Sequence, residues 1–234
     1  MIPAVHSLVK NSDVDKIYVL IEDDVFPYDL PVEAINVSRQ QFFRDDGPNY
    51  HCIWSYMALM RAALHRVFPQ YDKILSLDVD TIVDKDISGL WDLPIDNFYL
   101  GGVKEPVKSQ QNLYVNAGVM LLNLKKLRDG KGDEIIETLN TRKFTWPEQD
   151  CINLLCAGHI YEMSPEYNWN DWTTQTETPK ILHFAGKKNY LNLPIVEKYA
   201  PAEIAESVLF AGKKHYLRHS HSEKPRDPVD EPMC

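Results

Sequence analysis

Strand-like apolar runs alternate with helix-periodic stretches along most of these 234 residues, and that alternation narrows the fold more than any other property of the chain. It is the pattern of an α/β domain, a mostly parallel sheet with helices on its faces. Strand runs are read at Asp15 to Ile21, Ala34 to Ser38, Lys73 to Asp78, Asn97 to Val103, Tyr114 to Leu124 and Lys180 to Phe184. Between them Ile53, Met57, Met60, Leu64 and Val67 recur at alternating offsets of four and three, which predicts one helix over His51 to Phe68, ended by Pro69. Helical sequence broken by Gly130 and Gly132 fills 124 to 140. Thr145-Trp146-Pro147-Glu148 has the layout of a capping box with proline at the first helical position, predicting a helix to about Ala157 with Gly158 as its stop. Pro201 to Leu209 reads as a closing helix, and the polar, proline-punctuated sequence after Arg218 has no period. A single domain over residues 1–212 with a disordered tail over 213–234 is therefore expected.

Composition removes several classes of function. With 25 Lys+Arg against 34 Asp+Glu, the net charge of −9 repels a polyphosphate backbone, so no nucleic-acid partner is expected and any bound phosphate must be neutralised locally. No run approaches the roughly 18 apolar residues of a membrane span, so no transmembrane segment is expected. The first residues carry no basic region followed by an apolar stretch and cleavage site, which predicts a cytoplasmic protein. Cys52, Cys151, Cys156 and Cys234 form neither a zinc spacing nor a disulfide framework and read as reduced thiols.

The sharpest chemical feature is Leu75-Ser76-Leu77-Asp78-Val79-Asp80, a buried strand running into two carboxylates separated by one apolar residue. In extended backbone, residues two apart point to the same side, so Asp78 and Asp80 can reach one cation at the carboxyl end of a strand. Mn²⁺ or Mg²⁺ takes such oxygen ligands and bridges to a diphosphate, supplying the positive charge this acidic chain lacks. Taken alone, the triplet equally describes solvated loop aspartates with turn or capping roles.

Further segments accompany the acidic pair in a particular order. Met60-Arg61 precedes it, Tyr114-Val115-Asn116-Ala117-Gly118-Val119-Met120 and Glu148-Gln149-Asp150-Cys151 follow, and Tyr167-Asn168 and His183-Phe184-Ala185-Gly186-Lys187-Lys188 close the series. In this ordered combination the chain resembles glycosyltransferase family 8 over roughly residues 4 to 200. These are the retaining nucleotide-sugar transferases that include glycogenins and bacterial lipopolysaccharide galactosyl- and glucosyltransferases.

The resemblance implies the GT-A (Rossmann-like) fold and assigns roles position by position. Asp78, Asp80 and His183 match the family's metal ligands, and a neutral imidazole suits Mn²⁺. Arg61 matches an arginine near the nucleotide-sugar, its alternative being a helix-surface ion pair. Asn116, Ala117 and Gly118 match the lining of the donor-sugar pocket, where glycine lets backbone approach a ligand. Gln149 and Asp150 match the two catalytic-site residues near the sugar's reactive carbon and hydroxyls, while Glu148 is left with a capping role. Gly186 with Lys187 or Lys188 matches the diphosphate-binding segment. The family's usual lysine, six residues after the histidine, is here Asn189. Family members also open with a strand and short loop ahead of the helix matching Ile2 to Lys10, and this sequence begins at that helix.

The function so implied is metal-dependent transfer of a hexose from a UDP-sugar to a hydroxyl-bearing glycan acceptor, with anomeric configuration retained. A metal-dependent phosphoryl or nucleotidyl transferase is the first alternative, although no Gly-rich phosphate loop of the P-loop type occurs. The second is an N-terminally shortened, inactive binding module that recognises its ligand through exposed Tyr167, Trp169 and Trp172.

Overall fold

The computed structural model describes residues 1–52, 54–109, 111–187 and 189–200. In chain order its elements are α1 (Ile2–Asn11), β1 (Tyr18–Ile21), β2 (Glu33–Asn36), α2 (Ser55–Leu59), α3 (Leu64–Val67), β3 (Lys73–Leu77), β4 (Thr81–Val83), β5 (Leu100–Lys104), β6 (Val115–Asn123), α4 (Leu124–Leu127), α5 (Lys131–Thr141), α6 (Pro147–Leu155), β7 (Ile160–Glu162), β8 (Ile181–His183) and α7 (Pro194–Glu197). Lys188, Ile53, the closing helix expected at Pro201 to Leu209 and the expected tail lie outside the described residues.

The long apolar run around Met120 becomes β6, the central strand, and its hydrogen bonds go to β3 on one side and β5 on the other. A strand with both edges paired and both faces covered must be apolar on successive residues. Val119 and Leu121 accordingly pack into one core cluster, and Met120 and Leu122 into another. Each such fully buried side chain stabilises the fold by roughly 1.5–3 kcal/mol relative to exposure.

The sense of pairing departs from the expectation. β1–β2 and β5–β7 are parallel, whereas β3–β6, β5–β6 and β4–β8 are antiparallel, so the sheets are mixed rather than mostly parallel. An apolar run reports burial, and direction is set by connections that carry no such signal. The β5–β6 register also slips: Gly102 faces Met120, but Lys104 faces Val115. That irregularity falls on Asn116, Ala117 and Gly118, in the way bulges re-aim side chains beside sites.

Three helix expectations are corrected. The 51–68 segment is helical only from Ser55 to Val67 and winds as a tighter 3-10 turn over Met60–Ala63. The 124–140 segment breaks at Gly130, whose φ of 104° is open to glycine, while Gly132 lies inside α5. No Thr145 cap forms at α6: Trp146 is the N-cap, and the Asp150 carboxylate accepts its backbone N–H at 2.8 Å instead. No helix among the described residues is long and apolar enough to cross a membrane.

Candidate metal centre and its surroundings

The acidic pair lies in a tight turn between β3 and β4, not in extended backbone. Thr81 donates its backbone N–H to Asp78 O at 3.2 Å and its hydroxyl to the same oxygen at 2.8 Å. The turn leaves Val79 62% exposed and brings the two carboxylates together by another route than strand alternation. Asp78 N–H donates to Gly118 O at 2.8 Å, which extends the β3–β6 ladder and sets the first acid opposite the glycine. On the other side β8 pairs with β4 so that His183 faces Thr81, and Phe184 N–H donates to Asp80 O at 3.0 Å.

His183 Nε2 consequently stands 3.5 Å from both Asp78 Oδ2 and Asp80 Oδ1. One ligand atom from each of the three residues lies within 4.8 Å of the others, and the imidazole is buried. Two carboxylate oxygens and one ring nitrogen form a donor set that fits a hard divalent ion such as Mn²⁺ or Mg²⁺. Burial pulls the His183 pKa down, but contact with Asp78 and Asp80 and their charge outweigh it, so it rises to about 9. The two acids thus concentrate negative charge at this point.

Arg61 approaches Asp78 from the opposite side. Its side chain is 9% exposed; one guanidinium nitrogen pairs with Asp78, another with Glu148 Oε1 at 2.9 Å, and Nε donates to Ser76 Oγ at 3.2 Å. It is therefore a buried bridge rather than a helix-surface pair. Burial would raise the Asp78 carboxyl, yet Arg61 and His183 hold it well below the usual carboxylate range. Burial pushes Glu148 up, with Arg61 opposing. The capping role expected for Glu148 is thus corrected: its carboxylate faces inward. A buried arginine beside a single aspartate leaves unused donors, and that imbalance is the signal for a second acid.

A hydrogen-bonded network built on Glu105 and Asp150 adjoins these charges. Gln149 Oε1 accepts the Ala117 N–H at 2.8 Å, and its Nε2 donates to Tyr114 Oη at 3.1 Å and to Glu105 Oε1 at 3.3 Å. Asp150 accepts from the Tyr114 hydroxyl and from Trp146 N–H. Burial, and then Asp150, push the Tyr114 hydroxyl above its ordinary pKa. Asn116 Nδ2 donates to Glu105 Oε1 at 2.7 Å, and Glu105 is 5% exposed. Glu105 carries no motif, and Tyr114 opens the Tyr114 to Met120 segment without a role of its own being read from it.

A profile described as glycosyl transferase family 8 matches residues 11–189, more than half of the chain. The chain belongs to glycosyl transferase family 8. It is 26% identical over 171 residues to a putative glycosyltransferase of Haemophilus influenzae, covering 64% of this chain and 49% of that protein. It is also 26% identical over 186 residues to the lipopolysaccharide 1,2-glucosyltransferase of Escherichia coli, covering 64% and 55%. The chain thus spans about half the length of these curated relatives. Among solved structures, the glycosyltransferase GlyE of Streptococcus pneumoniae superposes with a TM-score of 0.62 at 20% identity, covering 95% of this chain and 62% of that one. The galactosyltransferase LgtC, in complex with donor and acceptor sugar analogues, gives 0.53 at 20% identity, covering 76% and 75%. These likenesses bear out the GT-A fold.

Not every position matched to family 8 gathers at the metal centre. Gly186 lies in an exposed turn after β8 with φ of 70°, and the Lys187 ammonium pairs with Asp171 at 3.1 Å. Lys188, the other lysine expected at phosphate, is outside the described residues. Of the aromatics weighed for a binding module, Tyr167 is 6% exposed and packs in the core, whereas Trp172 is 58% exposed.

Proposed function

We propose that this chain is a metal-dependent retaining glycosyltransferase that moves a hexose from a UDP-sugar to a hydroxyl-bearing glycan acceptor. The observation that carries the reading is the 3.5 Å approach of His183 Nε2 to both Asp78 and Asp80, from a strand a hundred residues further along a family 8 chain. In this reading Asp78, Asp80 and His183 hold Mn²⁺ or Mg²⁺, which when bound supplies positive charge against the donor's diphosphate.

The chain's own residues do the rest. Arg61 keeps Asp78 ionised and fixes which of its oxygens turns to the cation, and it serves the nucleotide-sugar through that carboxylate. Asn116, Ala117 and Gly118 flank the donor sugar, and the missing side chain at Gly118 makes room for the His183 ring that serves the metal. Gln149 and Asp150 stand at the reacting face, where the acceptor hydroxyl would attack from the side the diphosphate leaves, a route that retains configuration without an enzyme nucleophile and hands the hydroxyl proton to the departing diphosphate. The amide of Gln149 is already oriented, so little reorganisation accompanies the reaction. Gly186 with either Lys187 or Lys188 serves the diphosphate, and in the first case Lys187 leaves Asp171. We place the protein in the cytoplasm, a reading supported by the reduced, buried Cys151 and Cys156.

The test is a screen of nucleotide sugars for hydrolysis with Mn²⁺ or with a chelator. Release of UDP from one or more UDP-hexoses with Mn²⁺ alone is expected. Equal release in the chelator contradicts the metal's role, and absence of donor binding favours the binding module.

A further inference from the structure

Tyr167-Asn168 is the one motif of the family resemblance to which the reading above gives no task. The 3-10 turn Pro165–Tyr167 packs its tyrosine into the core and delivers Asn168 behind the His183 ring, where it has no exposed surface. Asn170, 1% exposed, and Asn116, 6% exposed, flank it. Three buried amides in a row can each face either way, so their direction follows from neighbours that only donate or only accept.

Both ends of the row have such neighbours. At one end the Glu105 carboxylate, an acceptor when ionised, takes Asn116 Nδ2 at 2.7 Å, and the Gly118 N–H donates to Asn116 Oδ1 at 3.0 Å. Asn116 Oδ1 is then an acceptor towards Asn168, which must offer Nδ2, at 2.9 Å. At the other end the Trp172 N–H donates to Asn170 Oδ1 at 2.8 Å, so Asn170 turns Nδ2 to Asn168 Oδ1 at 3.0 Å. Both ends agree that Asn168 Oδ1 accepts, and His183 Nδ1 lies 3.0 Å from it. A nitrogen at that distance from an acceptor carries the proton. The 3.4 Å approach of Asn170 Nδ2 to the same ring nitrogen is that of two donors sharing one oxygen. Gly118 closes the other side: a Cβ there would stand 2.0 Å from His183 Cε1, so the ring rests against bare backbone.

We propose that Asn168 is a positioning residue, whose side-chain oxygen accepts the His183 Nδ1–H and thereby fixes the ring with Nε2 towards Asp78 and Asp80. The proton's place is read from the amides alone; its use, offering Nε2 to a divalent cation, rests on the function proposed above.

The test uses the full chain labelled with ¹⁵N-histidine. In the wild type without metal, a one-bond ¹⁵N–¹H correlation at His183 Nδ1 with slow proton exchange is expected. Asn168→Ala removes the acceptor, and exchange should quicken while Mn²⁺ alone binds about 10-fold or more weakly, as for lost outer-shell partners. Asn168→Asp keeps an acceptor oxygen and should restore the slow Nδ1 proton. Wild-type His183 without a proton on Nδ1 overturns the assignment, and that spectrum decides even if Asn168→Ala does not fold. A folded Asn168→Ala with unchanged exchange and unchanged Mn²⁺ affinity also overturns it. A wild-type chain that shows the slow Nδ1 proton but binds no Mn²⁺ supports the proton's assignment and contradicts the proposed function instead.

Discussion

The two flanks of the Asp78–Asp80–His183 point are built from different chemistry. On the Arg61 flank the main contacts are between charges: Arg61 bridges Asp78 and Glu148 in a buried site, with one further bond to the Ser76 hydroxyl. On the Asn168 flank the groups behind the imidazole are amides, linked from Asn116 through Asn168 to Asn170. Charges can re-pair when a cation and a diphosphate arrive, whereas amides keep their state of charge and hold geometry throughout. The difference teaches where the site is meant to respond and where it is meant to stay still.

Breaking the charged flank should have the largest effect. Arg61→Met leaves Asp78 and Glu148 without their common partner and should cost about 3–5 kcal/mol of stability, read as a fall in thermal midpoint. A stable Arg61→Met would mean that the flank is not held by charge. Next in size, Asp80→Asn leaves the Arg61 bridge intact and His183 still paired with Asp78, so its thermal midpoint should fall less than that of Arg61→Met while Mn²⁺-dependent donor hydrolysis falls by roughly 10²–10³-fold. Comparable loss of both stability and turnover would erase the distinction between the metal centre and the arginine bridge.

On the neutral flank, Gly118→Ala sets a methyl group against the His183 ring, and overpacking of this kind should cost about 1–3 kcal/mol. Its stabilisation by Mn²⁺ in a thermal melt should also shrink, because the ring must move. An unchanged Mn²⁺ shift would show that the imidazole tolerates displacement.

The smallest effect is expected at an exposed counterpart of the Arg61 bridge. Arg66 pairs with Asp133, whose side chain is 46% exposed, and that pairing lowers the Asp133 pKa. A lowered carboxyl contributes stability above its unfolded pKa and loses it as pH falls through the folded value. Asp133→Asn should therefore cost at most about 1 kcal/mol at neutral pH, discounted for solvent screening, with the difference fading in acid. A pH-independent difference would assign the effect to packing around His65, which Asp133 also contacts at 3.2 Å.

Much of this was legible in residues whose chemistry is local. The runs of β3, β6 and β8, the Asp78–Asp80 pair and the proline that opens α6 announce themselves by apolarity, spacing or backbone restriction. β8, only three residues long, is legible because it sits in the five-residue run Lys180 to Phe184, whereas β4 and β7, equally short, have no such run around them and show no period. Antiparallel pairing escaped because burial does not encode direction. Glu148 was misread because an acid in a first helical turn has a sufficient local explanation, and only the buried Arg61 reveals its second use. Asn168 and Asn170 look like loop residues until the fold removes their water and makes each amide's orientation a constraint.

The most direct measurement is a Mn²⁺ titration of the wild type and Asp80→Asn in the presence of UDP, followed by the paramagnetic resonance of the free ion. One equivalent should bind the wild type, and loss of a direct ligand should weaken it by about 100-fold or more, at or beyond the upper range for outer-shell groups. Equal binding by both chains, or none by the wild type, would contradict the convergence of Asp78, Asp80 and His183 on a working metal centre.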